Sequence, residues 1–147
     1  MDSFIVPCPS CGTKNKIPAH KQHLTPKCGQ CKAAIGLRNF ARPVNLTDQD
    51  FQSVVSQASL PLLVDFFSPT CGPCRMLAPV IDTLARHYYG RLLVAKLDTS
   101  KNQMTAARFQ IQGVPTLLLI KNNQVVDQLV GALPEAALKQ KIDRFLS

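Results

Sequence analysis

The sequence predicts an α/β fold, in which a mixed central sheet is flanked by helices, with a small cysteine-containing module at the N-terminus. From Val44 onwards, short apolar runs that are typical of buried strands alternate with apolar residues at helical spacing. Residues 1–38 contain two C-x-x-C pairs and no apolar periodicity long enough for a helix or for an independent core. We therefore expect a module over residues 1–38, a linker over 39–43 and a larger domain over 44–147.

The first predicted elements of the larger domain are a helix and a strand. Thr47 is a suitable N-cap, and the aspartates that follow it complement the helix dipole. The run Leu62–Phe67 is almost entirely apolar and is bounded by prolines, so it predicts a strand that is buried on both faces and central in the sheet. The buried stripe of the helix comprises Phe51, Val54, Val55 and Ala58.

A second helix, a second buried strand and a third helix are predicted next. Gly90 marks the end of the second helix, and Pro79 is expected to bend it. The strand corresponds to Leu92–Leu97, and the third helix lies near Asn102–Phe109. The apolar stripe of the second helix comprises Met76, Leu77, Val80, Ile81 and Leu84.

The C-terminal part of the sequence predicts a hairpin and a last helix. Thr116–Ile120 and Gln124–Val130 flank Lys121-Asn122-Asn123, where the asparagines tolerate the positive φ of a tight turn, so these strands are antiparallel. Pro134 opens the last helix. The predicted order is therefore helix-strand-helix-strand-helix-strand-strand-helix.

Composition and charge restrict the class of protein. No apolar stretch reaches the ~20 residues that a membrane span requires, and Pro7 interrupts the N-terminus before a signal-peptide core can form. We therefore expect a cytoplasmic protein that makes no membrane contact. The net charge is +8, and residues 1–42 carry seven Lys and Arg with Asp2 as their only acid. Four thiolates on one dication would reduce this local charge, so the charge argument for a nucleic-acid partner is weak.

The third C-x-x-C pair, Cys71 and Cys74, lies where a buried strand ends and a helix begins. A thiol in the first turn of a helix has its thiolate stabilised by unpaired amides, so Cys71 is the predicted nucleophile. Cys74 lies nearly one turn further on, and it is predicted to resolve the mixed disulfide that Cys71 forms with a substrate. A structural metal pair is the alternative, which the strand-turn-helix setting disfavours.

Asp65 lies in the middle of an apolar strand, six residues before Cys71. Its carboxylate would be poorly solvated there and its pKa raised, which makes Asp65 a candidate base for Cys74. Lys96, one strand over, is expected to moderate that charge. The alternative for Asp65, which the residues favour less, is a carboxylate that lies at a strand end or is hydrogen-bonded. Pro115 could be an ordinary rigid turn, since only ~5–6% of X-Pro bonds are cis.

Several stretches of residues 44–147 match one known family. They are Leu62–Phe66, Cys71–Met76, Ala78-Pro79, Val94–Asp98, Gly113–Leu117 and Val130–Ala132. Over essentially its whole length this part of the chain resembles thioredoxin, which implies the thioredoxin fold and thiol–disulfide oxidoreductase activity. The resemblance further implies a buried Asp65, a cis Pro115 that faces the cysteines, disulfide-containing client proteins as substrates, and reduction by an NADPH-dependent thioredoxin reductase.

The resemblance also implies a client-docking surface beside the cysteines. The residues expected on this surface are Thr70, Gly72, Pro73, Val114 and Gly131. Thioredoxins usually carry Trp immediately before the first cysteine and at the position of Phe67, whereas this chain has no Trp. Phe67 keeps an aromatic residue in the core. Thr70 removes a large apolar surface from the docking face, so we expect a changed substrate range.

The first two C-x-x-C pairs predict a metal site. They are separated by sixteen residues, within the spacing of a tetrahedral zinc ribbon with four cysteine ligands, and they consist of Cys8, Cys11, Cys28 and Cys31. A zinc ion would supply on the order of 10 kcal/mol of folding free energy to a segment without its own core. We therefore predict one structural Zn²⁺ and no bound organic cofactor. A second dithiol system and an iron site with the same ligands are the alternatives.

Taken as a whole, the chain resembles the zinc-containing second thioredoxins of bacteria, and we expect a monomer. Two other functions remain as alternatives: a binding module whose basic N-terminus docks a nucleic acid or a protein, and a redox sensor that loses zinc on oxidation. Phe4 and Phe40 are the only aromatic residues in this region, which argues against nucleic-acid binding. His20 and His23 are expected to be solvated loop residues.

Overall fold

The computed structural model describes all 147 residues, which form seven β-strands and four α-helices. In chain order these are β1 (Ser3–Pro7), β2 (Lys14–Pro18), β3 (Val44–Leu46), α1 (Phe51–Gln57), β4 (Leu62–Phe67), α2 (Gly72–His87), β5 (Leu93–Asp98), α3 (Gln103–Arg108), β6 (Thr116–Lys121), β7 (Gln124–Val130) and α4 (Glu135–Leu146). Two short 3-10 helices, Ala19–Leu24 and Arg38–Phe40, lie between β2 and β3.

A five-stranded sheet in the order β3-β5-β4-β6-β7 forms the centre of the larger domain. Strand β4 is parallel to β5 and antiparallel to β6, which confirms the prediction that Leu62–Phe67 is the central strand. Asp65 on β4 is paired in register with Lys96 on β5. Their side chains therefore point to the same face of the sheet, and so does that of Phe67, two residues after Asp65.

Helices cover both faces of this sheet. On one face α1 contributes Phe51, whose ring centroid lies 6.4 Å from that of Phe66. On the other face, Leu77 of α2 and Leu138 of α4 belong to a second buried cluster, which also contains Leu63 of β4. The prediction of a mixed sheet between helices is confirmed.

Strand β3 is an element that the sequence analysis did not predict. Val44 and Leu46 are buried, but Asn45 between them is exposed, and three residues are too few to show an alternating pattern. Strand β3 pairs in parallel with β5 at the edge of the sheet. The observed order therefore has one more strand than the predicted order, before the first helix.

Helix α1 begins later than the predicted cap suggests. The N–H of Thr47 donates to the Asp50 carboxylate at 2.7 Å, and the N–H of Asp50 donates to the Thr47 hydroxyl at 3.3 Å. These reciprocal hydrogen bonds close a turn, and the regular helix starts after it, at Phe51. Thr47 therefore caps the turn that leads into α1.

Helix α2 follows the prediction with one difference. It ends at His87, shortly before Gly90, and it contains Pro79, although a bend at Pro79 stays a prediction. The expectation that Met76 belongs to the buried stripe is wrong, because its side chain is 79% exposed. Met76 lies two residues after Cys74 and leaves an apolar side chain at the surface close to the cysteines.

The predicted hairpin near the C-terminus is confirmed. Strands β6 and β7 are antiparallel, and the turn between them consists of Asn122 and Asn123. Both asparagines have positive φ angles, 53° and 63°, which matches the tight turn expected from their tolerance of that region.

The N-terminal module, residues 1–38, is called the ribbon below. Strands β1 and β2 form a two-stranded antiparallel sheet. The expectation that this segment lacks a hydrophobic core is wrong, because two cysteines and four aliphatic side chains form a small buried cluster: Val6, Cys8, Ile17, Cys28, Ile35 and Leu37. These aliphatic residues are scattered singly along the sequence, so no periodic pattern reveals them.

The ribbon packs against the larger domain at the C-terminal end of α2. The Tyr89 hydroxyl donates to the backbone carbonyl of Gln22 at 2.9 Å, and the Arg38 guanidinium lies 5.3 Å from the centre of the Tyr89 ring. Ala19 belongs to the same buried cluster as Val44. The 16 residues of α2, about 24 Å of helix, separate these contacts from the cysteine at its other end.

Candidate active site and metal centre

The redox pair occupies the first turn of α2, directly after the loop that follows β4. Cys71 is the N-cap residue of α2, and the backbone N–H of Cys74 donates to its sulfur at 3.2 Å. The two cysteines are joined by a disulfide bond. Cys74 is only 3% exposed, whereas Cys71 is partly exposed. Of the two sulfurs, Cys71 is therefore the one that a substrate can approach.

A second loop approaches the exposed side of the redox pair. The Val114–Pro115 peptide bond is cis, as the resemblance implies, and the sulfur of Cys71 lies 3.7 Å from the Val114 carbonyl oxygen. The N–H of Gly131 donates to the Pro115 carbonyl at 2.9 Å. These contacts bring three of the predicted site residues, Val114, Pro115 and Gly131, to one side of Cys71.

The residues that flank Cys71 in the sequence are small or polar. Thr70, Gly72 and Pro73 are all exposed next to Cys71. The Thr70 hydroxyl lies 3.2 Å from that of Ser68, a residue that the sequence analysis did not single out. Where the family carries a tryptophan, this chain therefore has a pair of hydroxyl groups.

Asp65 and Cys74 line one cavity of about 180 Å³ behind the redox pair. Asp65 is 1% exposed, and its Oδ1 atom has no hydrogen-bond partner. Burial raises the pKa of Asp65 to about 7, and the nearby positive charge of Lys96 partly opposes that rise. The predicted base, its predicted moderator and the predicted resolving cysteine therefore line the same cavity.

Two further side chains of this cavity were not recognised as site residues from the sequence. Arg75 lines it, and its Nε donates to the Pro69 carbonyl at 3.1 Å. Phe67 also lines it, and the Lys96 ammonium lies 4.7 Å from the centre of the Phe67 ring. Phe67 lies two residues after Asp65, so both side chains point to the same face of the strand. This spacing could have indicated that Phe67 lies near Asp65.

The four ribbon cysteines form one cluster, in which all sulfur atoms lie within 4.8 Å of one another. The Cys8 and Cys31 sulfurs are 3.6 Å apart, and so are those of Cys11 and Cys28. Four thiolates at about 2.3 Å from a tetrahedral zinc ion are about 3.8 Å from each other, so two of the sulfur separations are close to those of such a site and the donor set fits zinc.

Groups around the cluster stabilise its sulfurs. The backbone N–H of Ser10 donates to Cys8 and that of Gln30 donates to Cys28, each at 3.4 Å. Buried Asn15 donates to the Cys28 sulfur at 3.6 Å and accepts from the N–H of Gly29 at 2.9 Å. No pattern in the sequence indicated Asn15, because a single asparagine on a short strand is not a recognisable motif.

The two histidines between the cysteine pairs do not take part in this cluster. The His23 ring lies 3.1 Å from the Ser59 hydroxyl, so His23 sits at the junction between the ribbon and the larger domain. His23 is half-buried and is not the solvated loop residue that the sequence suggested. Burial lowers the pKa of both His20 and His23.

Comparison with known proteins agrees with this geometry. The family model described as thioredoxin matches residues 42–144, and the model described as thioredoxin 2, N-terminal, matches residues 7–33. Thioredoxin of Haemophilus influenzae is 46% identical over 103 residues, which are 70% of this chain and 96% of that protein. Thioredoxin C-3 of Corynebacterium nephridii is 36% identical over 143 residues, which are 97% of this chain and 96% of its own length.

No helix in the structure is both long and apolar enough to cross a membrane. The fold, the cysteine pair on α2 and the relatives together make the protein a thiol–disulfide oxidoreductase. The chain belongs to the thioredoxin family, with the N-terminal ribbon of the thioredoxin 2 type preceding its thioredoxin domain.

Proposed function

We propose that this protein reduces the disulfide bonds of client proteins through Cys71 and Cys74, with Asp65 as the base for Cys74 and one zinc ion held by the ribbon. The observation that carries the proposal is the asymmetry of the redox pair. Cys71 is partly exposed, whereas Cys74 is buried and shares a cavity with a carboxyl group whose pKa is raised to about 7.

In the first exchange, the Cys71 thiolate attacks one sulfur of a client disulfide. A Cys71–client disulfide forms, the client S–S bond breaks, and the other client sulfur leaves as a thiolate that takes a proton from water. The N–H of Cys74, which points at the Cys71 sulfur, stabilises negative charge on Cys71 and favours its thiolate at neutral pH.

In the second exchange, the Asp65 carboxylate takes the proton of the Cys74 thiol. The Cys74 thiolate then attacks the Cys71 sulfur, the mixed disulfide breaks, and the second client sulfur leaves as a thiolate that is protonated. Two electrons pass from the Cys71/Cys74 dithiol to the client. A pKa near 7 suits Asp65 for this role, because the carboxyl group can both accept and release a proton at neutral pH.

Clients are proposed to dock on the side of Cys71 formed by the Val114–Pro115 loop and Gly131. The backbone N–H and carbonyl groups of an extended client segment can pair with this loop, beside the exposed Cys71 sulfur. Gly72 and Pro73 add small exposed surfaces next to the nucleophile. The hydroxyl groups of Thr70 and Ser68 make this face more polar than a tryptophan would, which favours clients with polar residues near the disulfide.

The four ribbon cysteines are proposed to hold Zn²⁺ in a closed tetrahedral site, where the ion supplies folding free energy and takes no part in the redox chemistry. Asn15 and the N–H groups of Ser10 and Gln30 orient the sulfurs toward the common centre. The exposure of Cys11 and Cys31 supports a second role as a redox sensor that loses the ion on oxidation. Metal content measured before and after peroxide treatment tests that role.

The dithiol is proposed to be regenerated by an NADPH-dependent thioredoxin reductase in the cytoplasm, with the protein acting as a monomer. The first test is insulin reduction with dithiothreitol as the electron source. The wild type is expected to accelerate the precipitation of insulin chains, and Cys71→Ser is expected to remove the acceleration. Equal rates with and without the protein would favour a binding module instead.

A further inference from the structure

Lys96 does not form an ion pair with the carboxylate that it faces. Asp65 and Lys96 are register partners on neighbouring strands and line the same cavity, yet the salt bridges of the structure join Arg42 to Asp2 and Lys139 to Glu135. Asp65 Oδ1 has no hydrogen-bond partner at all. A buried carboxyl group and a flexible ammonium group on adjacent strands can form an ion pair, so a competing partner for Lys96 would account for their separation.

The ring of Phe67 lies where such a partner would be. The Lys96 ammonium lies 4.7 Å from the centre of this ring, within the range in which the negative face of an aromatic ring attracts a cation. Phe67 and Asp65 are two residues apart on β4, so both side chains are within reach of Lys96 on the same face of the sheet.

We propose that the Phe67 ring is a positioning group, which holds the Lys96 ammonium over its face and away from the Asp65 carboxylate. An ammonium in direct contact with the carboxylate would stabilise its ionised form and make it a weaker base. The consequence for catalysis, that Phe67 sustains proton transfer from Cys74, rests on the function proposed above for Asp65.

Few other charges surround Asp65. From α2, Cys74 and Arg75 line the cavity, but the Arg75 Nε is bonded to the Pro69 carbonyl. From β6, the register partner of Asp65 is Leu117, which is buried and apolar. Burial is the larger influence on the pKa of Asp65, and Lys96 is the charge that opposes it. A neighbouring side chain can therefore change the pKa of Asp65 by changing the position of the Lys96 ammonium.

The test is the titration of the Asp65 carboxyl carbon by NMR in the disulfide form, in which neither cysteine titrates. Phe67→Leu is expected to lower the midpoint by about one unit, a tenfold fall in proton affinity, because Lys96 is released to the carboxylate. Phe67→Tyr keeps a ring and is expected to keep the midpoint. Phe109→Leu is the matched control, since the Phe109 ring lies beside Arg108 and packs with Phe51 on the other face of the sheet.

A double-mutant comparison separates this role from a merely structural one. In a Lys96→Met background, Phe67→Leu is expected to leave the midpoint unchanged, because the ammonium is absent. An unchanged midpoint in the single variant, or an equal fall in the Lys96→Met background, would overturn the proposal. If Phe67→Leu does not fold, the proposal can be tested by NMR on the wild type. The Phe67 ring is expected to shift the ε-methylene protons of Lys96 upfield. Unshifted protons would overturn the proposal.

Rapid-mixing measurements of the second exchange keep this inference distinct from the proposed function. If both the Asp65 midpoint and the rate of the second exchange fall in Phe67→Leu, the positioning by Phe67 and the role of Asp65 as the base are both supported. If the midpoint falls as expected but the rate does not respond, the positioning by Phe67 stands and the assignment of Asp65 as the base fails.

Discussion

The backbone N–H of Cys74 donates a hydrogen bond to the sulfur of Cys71 at 3.2 Å. The donor is one of the unpaired amides at the start of α2, so it favours negative charge on Cys71, and the buried Cys74 sulfur has no equivalent donor. This asymmetry supports the proposed roles, in which Cys71 attacks the client and Cys74 resolves the mixed disulfide.

Cys74→Ser is expected to leave Cys71 able to attack but unable to release the client, so stable mixed disulfides should accumulate. Non-reducing electrophoresis with mass spectrometry measures them, and Cys71→Ser is the matched control that should form none. Trapping of clients by Cys71→Ser in place of Cys74→Ser would reverse the two roles.

Asp65→Asn is expected to stabilise the disulfide form at neutral and higher pH. The pKa of Asp65 is about 7 in the folded chain, whereas an unfolded aspartate titrates near 3.9. Ionisation is therefore harder in the folded state, and the free energy of unfolding falls by about 4 kcal/mol as the pH rises from about 4 to about 7. Asp65→Asn has no carboxyl group at this position, so its free energy of unfolding should not show this fall.

The measurement is denaturant unfolding of the wild type and Asp65→Asn between pH 4 and pH 8. The variant should gain about 2–4 kcal/mol above pH 7, less the cost of burying the amide, and little at pH 4. The same variant should slow the second exchange more than the first. Equal slowing of both steps would argue against Asp65 as the base.

Cys28→Ser is expected to abolish zinc binding and to unfold residues 1–38 while most reductase activity is retained. The ribbon contacts the larger domain near Tyr89, at the opposite end of α2 from Cys71. Thermal stability should fall as well, because Ala19 leaves the cluster that it shares with Val44. Calorimetry, zinc analysis and insulin reduction measure the three effects.

Tyr89→Phe is the matched control for the ribbon, since it removes the hydrogen bond to Gln22, worth about 1 kcal/mol, without touching the metal ligands. It should lower thermal stability slightly and leave zinc content unchanged. Complete loss of activity in Cys28→Ser, with the larger domain still folded, would show that the ribbon contributes to catalysis.

Thr70→Trp is expected to lower the apparent KM for protein disulfides by about tenfold, because partial burial of the new side chain contributes about 1.4 kcal/mol to docking. Small disulfides such as glutathione disulfide do not use this surface and should react unchanged, since the N–H of Cys74 still faces the Cys71 sulfur. Steady-state assays with both substrate classes measure the effect. An equal change for both classes would mean that residue 70 acts on the thiol and not on docking.

The secondary structure of the larger domain could be predicted from the sequence where the hydrophobic patterns are long. Leu62–Phe67 is a continuous apolar run, and Asn122 and Asn123 mark a turn between two alternating segments, so both were recognised. Strand β3 is only three residues long and takes its conformation from pairing with β5, a tertiary contact that no local pattern contains.

Individual site residues were predictable where their type is unusual for their setting. An aspartate in an apolar strand and a cysteine pair at a helix start both stand out, and Asp65 and Cys74 are found at one cavity. The contact between Lys96 and Phe67 could not be foreseen, because a lysine on a strand has several partners within reach. The docking of the ribbon through Tyr89 depends likewise on how two distant segments meet.

NADPH-coupled reduction of insulin with a thioredoxin reductase tests the central claim most directly, because it requires both the dithiol and its regeneration. The wild type is expected to sustain NADPH oxidation well above the rate of the reductase alone, and Cys71→Ser is expected to return it to that background. A wild-type rate at background, or a Cys71→Ser rate equal to that of the wild type, would contradict the assignment of Cys71 and Cys74 as a client-reducing pair.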